Sequence, residues 1–405
     1  MNIAVAQSGG PTCAINASLI GVFREALRSE QIETVYGSRN GIEGMIHDKL
    51  VNLSDLLATE DELALLLQTP STVLGSCRYK LPPAEENEAP YEAALAVMLR
   101  YHIGAFFYIG GNDSMDTVAK LSAWLTAKGS SIRVIGVPKT IDNDLMYTDH
   151  TPGFGSAAKY VATTMQEIIR DSSVYSLQSV TIVEVMGRHA GWLTAASSVL
   201  RVNGEIAPHL IYLPENPFSV TKFLDDIREQ QKTHKAVVVA VSEGIALSED
   251  ELGGGITSGV TDAFGHKYLS GMGKCLEHIV RRELHCKVRS IELNVMQRCS
   301  SHVASLTDLE EAQQIGSGAV RAALDGETGK MMTFRRISDH PYSVCIQSVD
   351  AGSVANKEKR FPAEWINAQQ NQVLPEAMDY FLPLILGEPV QRTQNGLPMH
   401  LIIPN

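Results

Sequence analysis

Short apolar runs that stop abruptly at polar, glycine-bearing turns recur along the first three quarters of the chain. Ile3–Ala6 runs into Ser8-Gly9-Gly10-Pro11-Thr12. Ala105–Ile109 runs into Gly110-Gly111-Asn112-Asp113-Ser114, and Val134–Val137 into Pro138-Lys139-Thr140-Ile141-Asp142-Asn143-Asp144. Bounded apolar runs of this length predict buried strands. Between them, apolar residues fall at helical spacing. Ala14, Ile15, Leu19, Val22, Phe23 and Leu27 predict a helix after the first run, and residues 53–67, 91–102 and 115–128 read the same way. The stretch 105–137 is then a strand–helix–strand crossover, which implies a parallel sheet.

The alternation continues past residue 150. A helix is expected to about residue 171, then a strand over Ser179–Val185 that ends in Met186-Gly187-Arg188-His189. An alanine-rich helix follows. Residues 210–213 and 236–241 read as strands, the second ending in Ser242-Glu243-Gly244. Residues 253–273 are glycine-rich and read as a flexible connection, with helices at 274–284 and 307–324. A strand over 291–295 leads to Met296-Gln297-Arg298. The 405 residues are long for one core. The expected division is an α/β domain at 1–150, completed by part of the C-terminal region, and a second α/β domain at 151–325. Residues 326–405 form an extension with prolines and helix-like stretches.

Composition narrows the function class. With 44% hydrophobic and 20% charged residues, the chain reads as a soluble globular enzyme. A net charge of −12 argues against sequence-independent nucleic-acid binding. It leaves room for an anionic small substrate, because local arginines set the field inside a cleft. No apolar run is long enough for a membrane-spanning helix. The N-terminus lacks a basic region and reads as a strand, so a cytoplasmic location is expected. Cysteines 13, 77, 275, 286, 299 and 345 form no Cys-x-x-Cys pair, so reduced thiols are expected.

The turns lie where ligands bind in open α/β sheets, outside the carboxyl ends of strands. A glycine turn ahead of a helix offers backbone N–H groups to a phosphate, although Ser8–Thr12 also reads as a plain turn. Arg78 and Lys80 follow another glycine turn, and surface solvation is the other reading for them.

Ser8-Gly9-Gly10, Gly110-Gly111-Asn112-Asp113-Ser114, Pro138 to Asp144, Met186-Gly187-Arg188 and Glu243-Gly244 together resemble the phosphofructokinase family. Order and spacing fit across roughly residues 3–325. The resemblance implies two α/β domains of mostly parallel sheet flanked by helices, with the active site in the cleft between them. It implies Mg²⁺-dependent phosphorylation of the 1-hydroxyl of fructose 6-phosphate, in a homodimer or homotetramer. Carried over by motif, Asp142 is the base. Thr140, Ile141, Met186, Gly187, Arg188, Glu243 and Arg298 join it in binding the sugar phosphate, with Arg298 on the 6-phosphate. Gly10 and Arg78 bind the donor. Asn112 and Asp144 attend the metal, with a turn cap as the other reading of Asp144.

Two positions bear on the donor. ATP-using members of the family usually carry glycine where this chain has Asp113 and Lys139, whereas pyrophosphate-using members carry aspartate and lysine. A carboxylate at 113 occupies and repels the α-phosphate of a nucleotide. An ammonium at 139 reaches pyrophosphate and stabilises charge on the transferring group. Asp113 and Lys139 are therefore assigned to catalysis and to a pyrophosphate donor. Other departures limit the carry-over. Asn112 replaces the usual metal-linked aspartate, and Val295 a frequent sugar-contacting histidine or tyrosine. Ser179 and Ile20 replace arginines that reach a neighbouring site and bind effectors. The competing readings are an ATP-dependent member, a kinase of another sugar phosphate such as sedoheptulose 7-phosphate, and a non-catalytic sugar-phosphate sensor. An intact Asp142 argues against the sensor.

Overall fold

The structure, a computed structural model, describes residues 1–204, 207–247 and 271–403. Most of the glycine-rich stretch expected to be a flexible connection lies outside the described residues. Two sheets carry the architecture. The larger contains β1 (Asn2–Gln7), β2 (Val35–Ser38), β3 (Leu50–Asn52), β4 (Ile103–Gly110) and β5 (Arg133–Pro138). The smaller contains β6 (Ser179–Val185), β7 (Leu210–Tyr212), β8 (Ala236–Ser242) and β9 (Lys287–Glu292). A later pair, β10 (Lys330–Asp339) and β11 (Tyr342–Asp350), returns to the larger sheet.

The larger sheet runs in the order β11-β10-β5-β4-β1-β2-β3, and the smaller β7-β8-β6-β9. All pairs in the smaller sheet are parallel. In the larger, only the outer pairs β2–β3 and β10–β11 are antiparallel. The α/β expectation is met, with helices on both faces as a parallel sheet requires. One face of the larger sheet buries Ile3, Val5, Phe107 and Ile135 under the helices Ile15–Arg28 and Leu306–Leu324. The other buries Ala4, Ala6, Phe106 and Val134 against Tyr91, Met98, Met115 and Leu121.

Register explains where the site forms. Gln7 pairs with Ile109, and Gly110 with Pro138, so β1, β4 and β5 end side by side. Their following loops therefore leave the sheet together. Val185 pairs with Ser242 in the smaller sheet, so the loops after β6 and β8 also leave together.

Several elements depart from the sequence expectation. The helix expected over 53–67 is two helices, Leu53–Leu56 and Glu60–Gln68. The break is Thr59, whose hydroxyl accepts from Glu62 N while its own N–H donates to the Glu62 carboxylate, a capping box that starts a new helix. The strand expected at 291–295 lies earlier, at Lys287–Glu292, because Asn294 turns out of extended geometry with φ of 44°. The alanine-rich helix is only Trp192–Ala196, continued as a 3₁₀ turn.

The extension is not mainly helical. Its β10 pairs with β5 and carries β11 on its outer edge. The helix Leu306–Leu324, placed by the sequence expectation within 151–325, packs on the larger sheet. Phe361, Tyr380 and Phe381 instead join the core beside the smaller sheet, with Phe154 and Trp192.

A buried polar network ties these segments. His150 lies against Phe334 with ring centroids 4.6 Å apart. Its Nδ1 is 2.9 Å from Asp149 Oδ2 and its Nε2 is 2.7 Å from Glu311 Oε2. Burial alone lowers its pKa, but Glu311 and Asp149 outweigh burial and hold it up at about 9. Unfolded histidine titrates near 6.5. The folded state thus binds more protons between those values. This contribution is fully present below about pH 6.5 and is lost as pH rises to about 9, amounting to ~3 kcal/mol at most. Thermal melts at pH 6.5 and 9 should show a lower midpoint at pH 9. His150→Gln should remove part of that difference, and an unchanged difference would contradict the assignment.

Candidate active site

The loops after β1, β4, β5, β6 and β8 converge on one cleft of about 500 Å³. That volume suits a small phosphorylated substrate with its donor. Of the residues singled out from sequence, Gly10, Arg78, Asn112, Asp113, Lys139, Thr140, Ile141, Asp142, Asp144, Met186, Arg188, Glu243 and Arg298 all line it. Gly187 does not. It sits behind the wall with φ of 131°, a conformation that favours glycine, and its N–H donates to Glu243 Oε1 at 3.3 Å.

The loop after β5 is built by its own hydrogen bonds. Thr140 Oγ1 accepts from Asp142 N at 3.1 Å and donates to Asp142 Oδ2 at 3.4 Å. Asn143 takes a left-handed turn, φ 56°, and its side chain accepts from Thr151 N and donates to the Tyr380 hydroxyl. A residue of each kind is needed there. Threonine orients the aspartate, and asparagine tolerates the left-handed conformation while pinning the loop. Thr140 thus engages Oδ2 of Asp142 rather than Oδ1. Burial pushes the Asp142 carboxyl up, against Thr140, Lys139, Arg298 and Arg188, which pull it down. Asp144 is pushed up to about 7, first by burial and then by Asp142.

Lys139 comes off the last residue of β5 and is 2% exposed. Its Nζ donates to Gly10 O at 2.7 Å, which fixes the ammonium between the β1 and β5 loops. Burial lowers it to about 8, with Arg298 and Arg78 adding to the effect and Asp142 opposing it. Across from it, the helix Asn112–Ala127 begins at Gly111 with no side-chain cap. Its first N–H groups are available to an anion, and Asp113 sits in the first turn where the helix dipole favours a carboxylate.

The far wall comes from the smaller sheet. Glu243 N donates to Val185 O, so the two loops there are laced together. Close packing leaves no space at Gly244, where a Cβ would lie 2.0 Å from Arg188 O. Glu243 Oε1 faces Gly187 N and lies 3.8 Å from Arg188 Nε. Burial, then Asp142, pushes the Glu243 carboxyl up to about 7, with Gly187 N–H and Arg188 opposing. Met186 N donates to Gln297 Oε1, one residue before Arg298.

Three buried polar atoms of cleft-lining residues have no hydrogen-bond partner among the described residues: Thr12 Oγ1, Asn112 Oδ1 and Arg298 Nε. Such atoms are costly unless a ligand satisfies them. For a metal, the relevant one is Asn112 Oδ1, a hard oxygen in the cleft that Asp113 and Asp144 also line. Among the described residues no three His, Cys, Asp or Glu side chains form a metal-binding group. A cation that takes one or two protein oxygens and fills its shell with phosphate and water, as Mg²⁺ does, fits this donor set.

The sequence reading missed Thr12, Tyr79, His189, Asn356 and Glu358, all of which line the cleft. His189 directly follows the Met186–Arg188 motif and was within reach. Asn356 and Glu358 arrive from the tail, where nothing local marks them.

A phosphofructokinase family model matches residues 2–323. The chain is 41% identical to a pyrophosphate–fructose 6-phosphate 1-phosphotransferase of Xanthomonas campestris pv. campestris, covering 100% of this chain and 96% of that protein. It is 38% identical to a protein of the same description from Halomonas elongata, covering 98% and 94%. The crystal structure of a pyrophosphate-dependent phosphofructokinase from Nitrosospira multiformis superimposes with a TM-score of 0.89 at 35% identity, covering 99% of this chain and 95% of that one. With the family matched over most of its length and full-length relatives above 30% identity, the chain belongs to the phosphofructokinase family.

Proposed function

We propose that this enzyme transfers a phosphoryl group from pyrophosphate to the 1-hydroxyl of fructose 6-phosphate, giving fructose 1,6-bisphosphate and phosphate. The observation that carries the reading is the shared cleft. Asp113, Lys139 and Asp142, from loops of the larger sheet, line it together with Arg188, Glu243 and Arg298. The larger sheet's loops then hold pyrophosphate, with Gly10 N–H, Arg78 and Lys139. The smaller sheet's loops hold the sugar phosphate, with Arg298 on the 6-phosphate.

Asp142 Oδ1 accepts the proton of the 1-hydroxyl as its oxygen attacks phosphorus, and phosphate leaves. Recession in the cleft raises the basicity of that carboxylate, which favours proton acceptance near neutral pH. Lys139 neutralises charge on the transferring group. Asn112 and Asp144 would hold Mg²⁺, which supplies further neutralisation of phosphate charge when bound. A cytoplasmic homodimer or homotetramer is the setting that the family suggests.

The pyrophosphate reaction has a small driving force, so it should run in both directions. Fructose 1,6-bisphosphate with inorganic phosphate and Mg²⁺ should yield pyrophosphate and fructose 6-phosphate. Forward turnover without any reverse turnover would contradict the proposal.

A further inference from the structure

The tail crosses the cleft after β11 and touches loops from both sheets. Asn356 and Glu358 line the cleft, and Glu358 comes within 3.9 Å of His189 Nδ1. The next residue, Lys359, makes the more consequential contacts. Its N–H donates to Asp144 O at 2.7 Å. Its ammonium donates to Asp149 O at 2.7 Å, Thr148 O at 3.1 Å and Asn143 Oδ1 at 3.4 Å. Those partners span the loop that carries Asp142 and Asp144. On its other side, Lys359 O accepts from Trp192 Nε1 at 3.0 Å, and the ammonium lies 4.9 Å from the centre of the Trp192 ring. Trp192 ends the loop that begins with Met186 and Arg188.

Two residues on, the same strap repeats the link. Phe361 N donates to Glu215 Oε1 at 2.9 Å, and Gly191 N donates to that same oxygen at 2.8 Å. The Phe361 ring packs edge-on to Trp192 at 5.1 Å. The strap is thus bonded to the base-bearing loop of the larger sheet at one end and to the sugar-side loop of the smaller sheet at the other. The family match ends at residue 323, well before it.

We infer that Lys359 is a positioning residue that sets the distance between the Asp142–Asp144 loop and the Met186–Arg188 loop. Phosphoryl transfer depends on alignment of hydroxyl, phosphorus and base, and each group here comes from a different loop. A strut bonded to both loops keeps the sugar hydroxyl in line with Asp142 and the donor. Removing the ammonium takes away its bonds to residues 143–149 and its contact with the Trp192 ring. That loosens the spacing while each half-site still binds its own ligand. The backbone bonds to Asp144 O and Trp192 Nε1 remain. Misplacement by about an ångström costs on the order of 10²-fold in rate.

The proposal rests on the phosphotransferase reading for its kinetic test, and an exchange measurement tests it without turnover. Lys359→Met keeps the stem and removes the ammonium. Its kcat should fall on the order of 10²-fold, with KM for fructose 6-phosphate and pyrophosphate within about threefold of the parent. Lys359→Arg, which keeps a cation, should recover part of the loss. Native-state hydrogen exchange should quicken in both 140–149 and 186–192 in Lys359→Met, while 103–110 in the central strand stays protected. If Lys359→Met does not fold, Trp192→Phe, which removes the indole donor to Lys359 O, should lower kcat without raising KM. A folded Lys359→Met with parental kcat, or faster exchange confined to 140–149, overturns the inference. So does a Trp192→Phe enzyme with parental kcat. A parent without turnover counts against the proposed function, and exchange then decides this inference alone.

Discussion

Asp142→Asn should lower kcat on the order of 10³-fold while leaving KM for fructose 6-phosphate within a few-fold of the parent. Asparagine keeps the shape and can still accept the hydrogen bond that Thr140 Oγ1 gives to Asp142 Oδ2. It can also receive no proton at the position of Oδ1, so the loss falls on the chemical step. In the proposed function the 6-phosphate goes to Arg298, so KM should depend little on residue 142. Steady-state kinetics in both directions check this. A kcat within tenfold of the parent would remove Asp142 from the role of base, since a positioned general base commonly supplies a factor of 10²–10⁴.

The second large effect concerns the donor. Lys139→Gly should reduce kcat/KM for pyrophosphate by about 10²–10³-fold, the usual cost of removing one charge-stabilising donor from a water-poor site. The ammonium is pinned to Gly10 O at 2.7 Å, which holds it at the start of the β1 loop. Asp113→Gly acts differently. It removes a carboxylate from the first turn of the helix Asn112–Ala127 and opens space next to helix N–H groups that favour phosphate. The double variant should lose pyrophosphate use and gain measurable ATP binding by calorimetry. ATP binding already present in the parent and unchanged in the double variant would count against Asp113 as the residue that excludes nucleotide.

Much of this was legible in the chain because the chemistry sits where strands end. Each apolar run predicts a strand, and each polar turn that follows it carries the reactive residues. The parallel arrangement then brings Gly10, Asp113 and Asp142 together without further information. The tail was far less legible. In β11, Tyr342, Val344 and Ile346 alternate with Ser343, Cys345 and Gln347, a period-two signal that could have identified the strand. In β10 the first half is continuously buried and the second alternates, so neither template covers it. Lys359 was out of reach for a different reason. Lys357-Glu358-Lys359-Arg360 reads as a solvated charge run. What sets Lys359 apart is contact with residues 143–149 and 192, and local pattern does not encode contacts over such separations. Thr59 teaches the reverse lesson. Its capping box with Glu62 was written in the sequence, and apolar periodicity ran straight across it.

The donor comparison tests the central claim most directly. Purified enzyme with fructose 6-phosphate and Mg²⁺ is supplied with pyrophosphate or with ATP, and fructose 1,6-bisphosphate is measured. Robust product from pyrophosphate and little or none from ATP is the predicted result. Strong product from ATP with none from pyrophosphate would contradict the roles given to Asp113 and Lys139.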